Sequence, residues 1–132
     1  MIRKAAIISI SGNTLTKQEK NIFKQDKPWG VILFKRNILT EKQVIRLTGS
    51  IRKIMKDKKY PILIDEEGGR VTRLSNILDN SNFNQKYFGS IYATDKEIGS
   101  ALYKNYIDLV SVHLRNLGIN INTSPVLDLL IG

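Results

Sequence analysis

Short β-branched apolar runs recur along this chain, and each is followed by a segment that opens like a helix. Ala5 to Ile10 is the first run, Gly30-Val31-Ile32-Leu33-Phe34 the second and Pro61-Ile62-Leu63-Ile64 the third. The second and third show no polar alternation, which is the pattern of strands covered on both faces. Between the runs, Thr16-Lys17-Gln18-Glu19, Thr40-Glu41-Lys42-Gln43 and Thr94-Asp95-Lys96-Glu97 read as capping boxes. In such a box the threonine hydroxyl accepts from a free helical N–H, and the acid or amide three residues on reaches back.

The first box predicts a short helix to about Gln25, with Pro28 beyond its end. The second predicts a helix whose Val44, Leu47, Ile51 and Ile54 form one apolar stripe. The third predicts a helix burying Ile98, Leu102, Tyr106, Leu109, Val110, Leu114 and Leu117, with Gly118 as its stop. A long irregular stretch is expected from Glu66 to about Ala93. Ile119-Asn120-Ile121-Asn122 starts a fourth strand.

The order β-α-β-α-β-α-β predicts an α/β fold with a parallel sheet under covering helices. An open doubly wound sheet and part of a (β/α)8 barrel both fit it. At 132 residues the chain is one domain, residues 1–132, and holds about three and a half βα units. A whole barrel takes about 250 residues, so pattern alone favours the open sheet.

Composition narrows the function. There is no cysteine, so disulfides, zinc–thiolate sites and cysteine nucleophiles are excluded. No apolar run reaches the roughly 18 residues of a membrane helix. Ile2 to Ile10 imitates a signal peptide only loosely, because serines interrupt a short apolar part. The net charge of +9 raises the question of nucleic acid. The basic residues are scattered, however, and the tightest run, Lys56-Asp57-Lys58-Lys59, falls at a helix end, where cations suit the dipole. No nucleic-acid partner and no membrane partner is expected.

The chemistry concentrates in Ile64-Asp65-Glu66-Glu67-Gly68-Gly69-Arg70-Val71-Thr72-Arg73. Three acids stand where an apolar strand ends, the edge at which parallel α/β folds place ligands. The glycines permit backbone conformations closed to other residues. Arg70 and Arg73 follow closely enough to pair with the acids or to grip a polar ligand. Neither the dinucleotide fingerprint nor the P-loop pattern is present. An ordinary βα loop with solvated ion pairs fits the same residues.

The segment resembles the Asp-(Gln/Glu)-Glu-Gly-Gly-Arg-Val-x-Arg signature of family 3 glycoside hydrolases, in the bacterial β-N-acetylhexosaminidase branch. Leu15-Thr16 with Glu19, Gly30 to Asn37, Ile51-Arg52, and Gly118-Ile119-Asn120 leading to Ser124-Pro125-Val126-Leu127-Asp128 are similar to further family motifs, in the family's order. The resemblance implies a partial (β/α)8 TIM barrel in place of the open sheet. It implies a retaining hydrolase that removes terminal β-linked N-acetylglucosamine from glycans or muropeptides, in cytoplasmic peptidoglycan recycling, with no metal and no cofactor.

Carried over residue by residue, the resemblance makes Asp65 and Arg73 substrate-binding and Glu67, Gly68, Gly69 and Arg70 site-shaping. Glu66 stands where the family often has glutamine, with no predicted consequence. Arg36, Asn37 and Asp128 lie at the same edge, as structural or peripheral residues. No catalytic residue is expected in this chain: the nucleophilic aspartate and acid/base histidine belong to later family motifs, and His113 sits in a helix. The chain is therefore expected to be an N-terminal fragment without turnover of its own. A half-barrel module that pairs with itself or with a separate C-terminal half is the second hypothesis.

Overall fold

The computed structural model describes residues 2–127. Strand β1 (Lys4–Ser9) leads to helix α1 (Lys17–Gln25), β2 (Pro28–Leu33), a single 3-10 turn (Lys35–Asn37), α2 (Glu41–Met55) and β3 (Ile62–Ile64). Helices α3 (Gln85–Thr94) and α4 (Lys96–Asn116) precede β4 (Ile121–Asn122). The four strands form one parallel sheet in the order β1-β2-β3-β4. A doubly wound sheet starts near its middle and reverses direction. Here β1 is at the edge and the order never reverses, which is the strand sequence of a barrel. The open-sheet expectation from pattern alone is corrected by this order.

Local chemistry explains most boundaries. Thr16 caps α1 in a full capping box, its hydroxyl accepting from Glu19 N and Glu19 accepting from Thr16 N. The box predicted for α2 is only half there. Thr40 accepts from Gln43 N, but the Gln43 side chain accepts from Leu39 N, one residue further back. The third box is also corrected. Asp95, not Thr94, caps α4, and its carboxylate accepts from Ile98 N. The stretch predicted to be irregular up to Ala93 contains α3, capped by Asn84 accepting from Tyr87 N. One glycine, Gly89, and a weak apolar rhythm hid this helix.

The core fills one face of the sheet. Val31 and Leu33 of β2 and Ile62 and Ile64 of β3 pack with Val44, Leu47 and Ile51 of α2 and with Val110, Leu114 and Leu117 at the end of α4. Thr48 Oγ1 donates to Leu117 O at 2.9 Å and ties α2 to that end. The other sheet face carries Ile7, Ile32, Leu63 and Ile121 by strand alternation. Leu63 is buried there, Ile32 and Ile121 are half-buried and Ile7 is exposed. The stripe predicted for α4 is buried only in part: Ile98, Leu102 and Leu109 are exposed, while Tyr106, Val110, Leu114 and Leu117 pack on the core.

Candidate functional site

Parallel pairing puts Ile64 beside Asn122, so the next residues, Asp65 and Thr123, leave the sheet together. Thr123 Oγ1 donates to Asp65 Oδ1 at 2.5 Å, and Thr123 N donates to Ile64 O at 3.0 Å. Arg73 comes back from the loop after β3, and its Nη2 lies 3.5 Å from Asp65 Oδ2. Both charged side chains stay about a quarter exposed, so the pair is reachable from solvent. Arg73 Nε is buried and has no acceptor among the described residues.

The neighbouring strand ends complete the edge. The Phe34 ring, just after β2, lies 5.5 Å from the Arg73 guanidinium carbon and 4.8 Å from that of Arg36. Arg36 Nε donates to Ile10 O at 3.0 Å, which anchors it to the end of β1. Asn37 is fully buried: its amide nitrogen donates to Ile10 O and Gly12 O and its oxygen accepts from Phe34 N. It is a structural tie between two strand ends, in line with its peripheral assignment. Asp128 lies outside the described residues.

The loop between Asp65 and Arg73 is a tight reversal. Glu67 N donates to Val71 O at 3.0 Å, and Gly68 bridges to Val71. Gly68 and Gly69 sit at φ +77° and +64°, in the left-handed region that disfavours side chains. A Cβ on Gly68 would stand 2.0 Å from the Phe83 carbonyl oxygen, so the glycine is also a steric necessity. Glu67 is half-buried, while Arg70 is exposed at the tip and makes no ion pair among the described residues. Arg73, not Arg70, pairs with the acids.

Glu66 departs from the sequence reading, which gave it no consequence. It is 2% exposed, and its carboxylate accepts from Arg73 N at 2.7 Å, Leu74 N at 2.9 Å and Asn80 Nδ2 at 3.3 Å. Burial pushes its pKa up, and the hydrogen bonds from Leu74, Asn80 and Arg73 and the Arg73 charge only partly oppose this. Asn122 clasps its main chain from β4, accepting from Glu66 N at 2.9 Å and donating to Glu66 O at 3.0 Å. Sequence reasoning missed Thr123, Asn122, Asn80 and Phe34. Only the β3–β4 register would have revealed the first two.

His113 lies in α4 with its Nε2 3.8 Å from Glu41 Oε1 of α2, as a helical residue outside this edge. The most apolar hollow, about 420 Å³ between α3, α4 and Pro125-Val126, holds none of the predicted site residues. Among the described residues no cluster of three His, Cys, Asp or Glu could hold a metal ion. The edge thus offers a carboxylate acceptor, a guanidinium fork, a hydroxyl and an aromatic face. Those are groups that fix the hydroxyls and apolar face of a sugar ring.

No family model matches the chain. A β-hexosaminidase of Xanthomonas campestris pv. campestris is 34% identical over 96% of this chain and 38% of its own length. A crystal structure of NagZ from Neisseria gonorrhoeae, in complex with N-trifluoroacetyl-D-glucosamine, superposes with a TM-score of 0.82 at 27% identity. That match covers 96% of this chain and 38% of the NagZ chain. A glycoside hydrolase family 3 β-N-acetylglucosaminidase from Paenibacillus sp. str. FPU-7 gives 0.76 at 29% identity, covering 93% of this chain and 23% of that one. The chain therefore spans well under half the length of these relatives, and the sheet it contributes is part of their barrel. Over the matched residues, these likenesses support an N-terminal domain of glycoside hydrolase family 3, in its bacterial β-hexosaminidase branch.

Proposed function

We propose that Asp65 and Arg73 are the sugar-holding part of a β-N-acetylhexosaminidase site that acts on terminal β-linked N-acetylglucosamine. The observation that carries this reading is the Asp65–Arg73–Thr123 cluster at the C-terminal edge of β3 and β4, solvent-reachable and built of groups suited to hydroxyls. The N-acetylglucosamine analogue held by the related NagZ supports the choice of sugar. The Asp65 carboxylate accepts from sugar hydroxyls, and Arg73 donates to ring or acetamido oxygens. Glu67, Gly68, Gly69 and Arg70 shape the turn that returns Arg73 to the strand end.

A retaining mechanism needs a carboxylate nucleophile and a separate acid/base on either side of the glycosidic bond. In this reading both come from outside residues 1–132, the acid/base being a histidine. These residues alone bind without turning substrate over. The substrate in the cell is a muropeptide or related glycan, and the setting is peptidoglycan recycling in the cytoplasm. No helix among the described residues is long and apolar enough to cross a membrane.

The test is isothermal titration of N-acetylglucosamine into the protein and into Asp65→Asn. The substitution weakens binding by about tenfold or more, since a hydrogen bond to a charged group contributes about 1.5–3 kcal/mol. Unchanged affinity removes Asp65 from the site. Release of nitrophenol from a chromogenic N-acetyl-β-glucosaminide by purified residues 1–132 contradicts the absence of turnover.

A second reading, an assembly module, is favoured by the exposure of β1 at one sheet edge and of Ile7 on the free sheet face. Its partner is a second copy or a segment carrying the rest of a barrel. A strictly monomeric protein at high concentration, with no retention by a C-terminal half, counts against it.

A further inference from the structure

The two acids that follow β3 hold one and the same arginine, by different handles. Asp65 faces the Arg73 guanidinium, 3.5 Å away. Glu66 takes the main-chain N–H of Arg73 at 2.7 Å and that of Leu74 at 2.9 Å, both on one carboxylate oxygen. Its other oxygen accepts from Asn80, whose own carbonyl accepts from Gly69 N at 3.0 Å inside the glycine turn. Asn122 fixes the Glu66 main chain to β4.

We propose that Glu66 is a positioning residue of the sugar edge: its buried carboxylate sets where the backbone of Arg73 stands, and so where the guanidinium meets Asp65 and a bound sugar. The inference rests on the reading of Asp65 and Arg73 as sugar-binding residues. It explains why a carboxylate is tolerated at a position where packing alone would be met by an apolar side chain. An apolar side chain there would leave the N–H groups of Arg73 and Leu74 without this acceptor.

The ionisable groups facing Glu66 are Arg73 from its own loop and Tyr106 from α4, while β4 presents only the neutral Asn122. Tyr106 is pushed up to about 12 by burial and then by the Glu66 charge, and its buried hydroxyl has no partner among the described residues. Protonated Glu66 keeps the oxygen that holds Arg73 and Leu74, but its new O–H requires the Asn80 amide to turn its oxygen inward. A glutamine satisfies the same arrangement, its Nε2 donating to the turned Asn80. The hold on Arg73 therefore survives either protonation state, with a change in geometry between them.

The test follows the Arg73 and Leu74 amide resonances of 15N-labelled protein against pH. N-acetylglucosamine affinity is measured in parallel for the wild type, Glu66→Gln, Glu66→Ala and Asp65→Asn. In the wild type both amides shift together, with a midpoint above the ordinary glutamate range, and in Glu66→Gln they stay flat. Glu66→Gln keeps the affinity within about twofold, whereas Glu66→Ala loses about tenfold while its remaining spectrum stays dispersed. Amides that ignore pH in the wild type, or wild-type affinity in Glu66→Ala, overturn the proposal. Wild-type affinity in Asp65→Asn with titrating amides instead overturns the sugar reading and leaves the hold of Glu66 on Arg73 standing.

Discussion

Asn37 shows how a side chain at a ligand edge can serve the fold instead of the ligand. Its three side-chain hydrogen bonds join the ends of β1 and β2 beneath Arg36 and Phe34. Asn37→Ala leaves Gly12 O and Phe34 N without their partner, while Ile10 O keeps Arg36 Nε, and destabilises the protein by about 2 kcal/mol, read from urea unfolding. Gly68→Ala forces a methyl group onto the Phe83 carbonyl at a positive φ. It costs about 2 kcal/mol or more and weakens sugar binding by displacing the Arg73 loop. Glu66 contributes a pH dependence with a definite sign. Its raised folded pKa means the native state holds the proton more tightly than the unfolded chain. That contribution to stability is complete below the ordinary glutamate range and is lost as pH rises through the raised value. Glu66→Gln removes this slope from a pH series of melting temperatures. The strand-end position of Asp65 was legible in the sequence. The partners of Glu66 were not, since they return from seven, eight and fourteen residues away.

Helix α4 separates what periodicity reveals from what it cannot. Apolar spacing found the helix but assigned its whole stripe to the core, although Ile98, Leu102 and Leu109 face outward while Val110, Leu114 and Leu117 pack inward. Spacing reports an apolar face, not which neighbour covers it. Leu114→Ala destabilises by about 3 kcal/mol in chemical denaturation, whereas Leu109→Gln stays within about 0.5 kcal/mol. Caps were legible where side chain and backbone agree. The Thr16–Glu19 box is present in full, and Thr16→Ala costs about 1 kcal/mol. Helix α3 was not legible, because its start is an Asn84 cap within a run of polar residues and glycine lies inside it.

At the scale of the molecule, the strand order gives the architecture and the relatives support the family. The sheet runs β1 to β4 without reversal, and its second face is apolar yet only partly covered. A sheet of this kind closes when further strands continue it at both edges. The alternation of strands and helices was legible from apolar runs and caps. The choice between barrel and open sheet was not, because strand order is a non-local property; the family motifs carried it instead. On the proposed function, the ends of β3 and β4 hold the sugar. Amide shift mapping with N-acetylglucosamine on 15N-labelled protein tests it most directly. Saturable shifts are expected at Asp65, Arg73 and Thr123, lost in Asp65→Asn, with the α3–α4 groove around Phe88 and Tyr103 unmoved. Shifts confined to that groove, or none at the strand ends, contradict it.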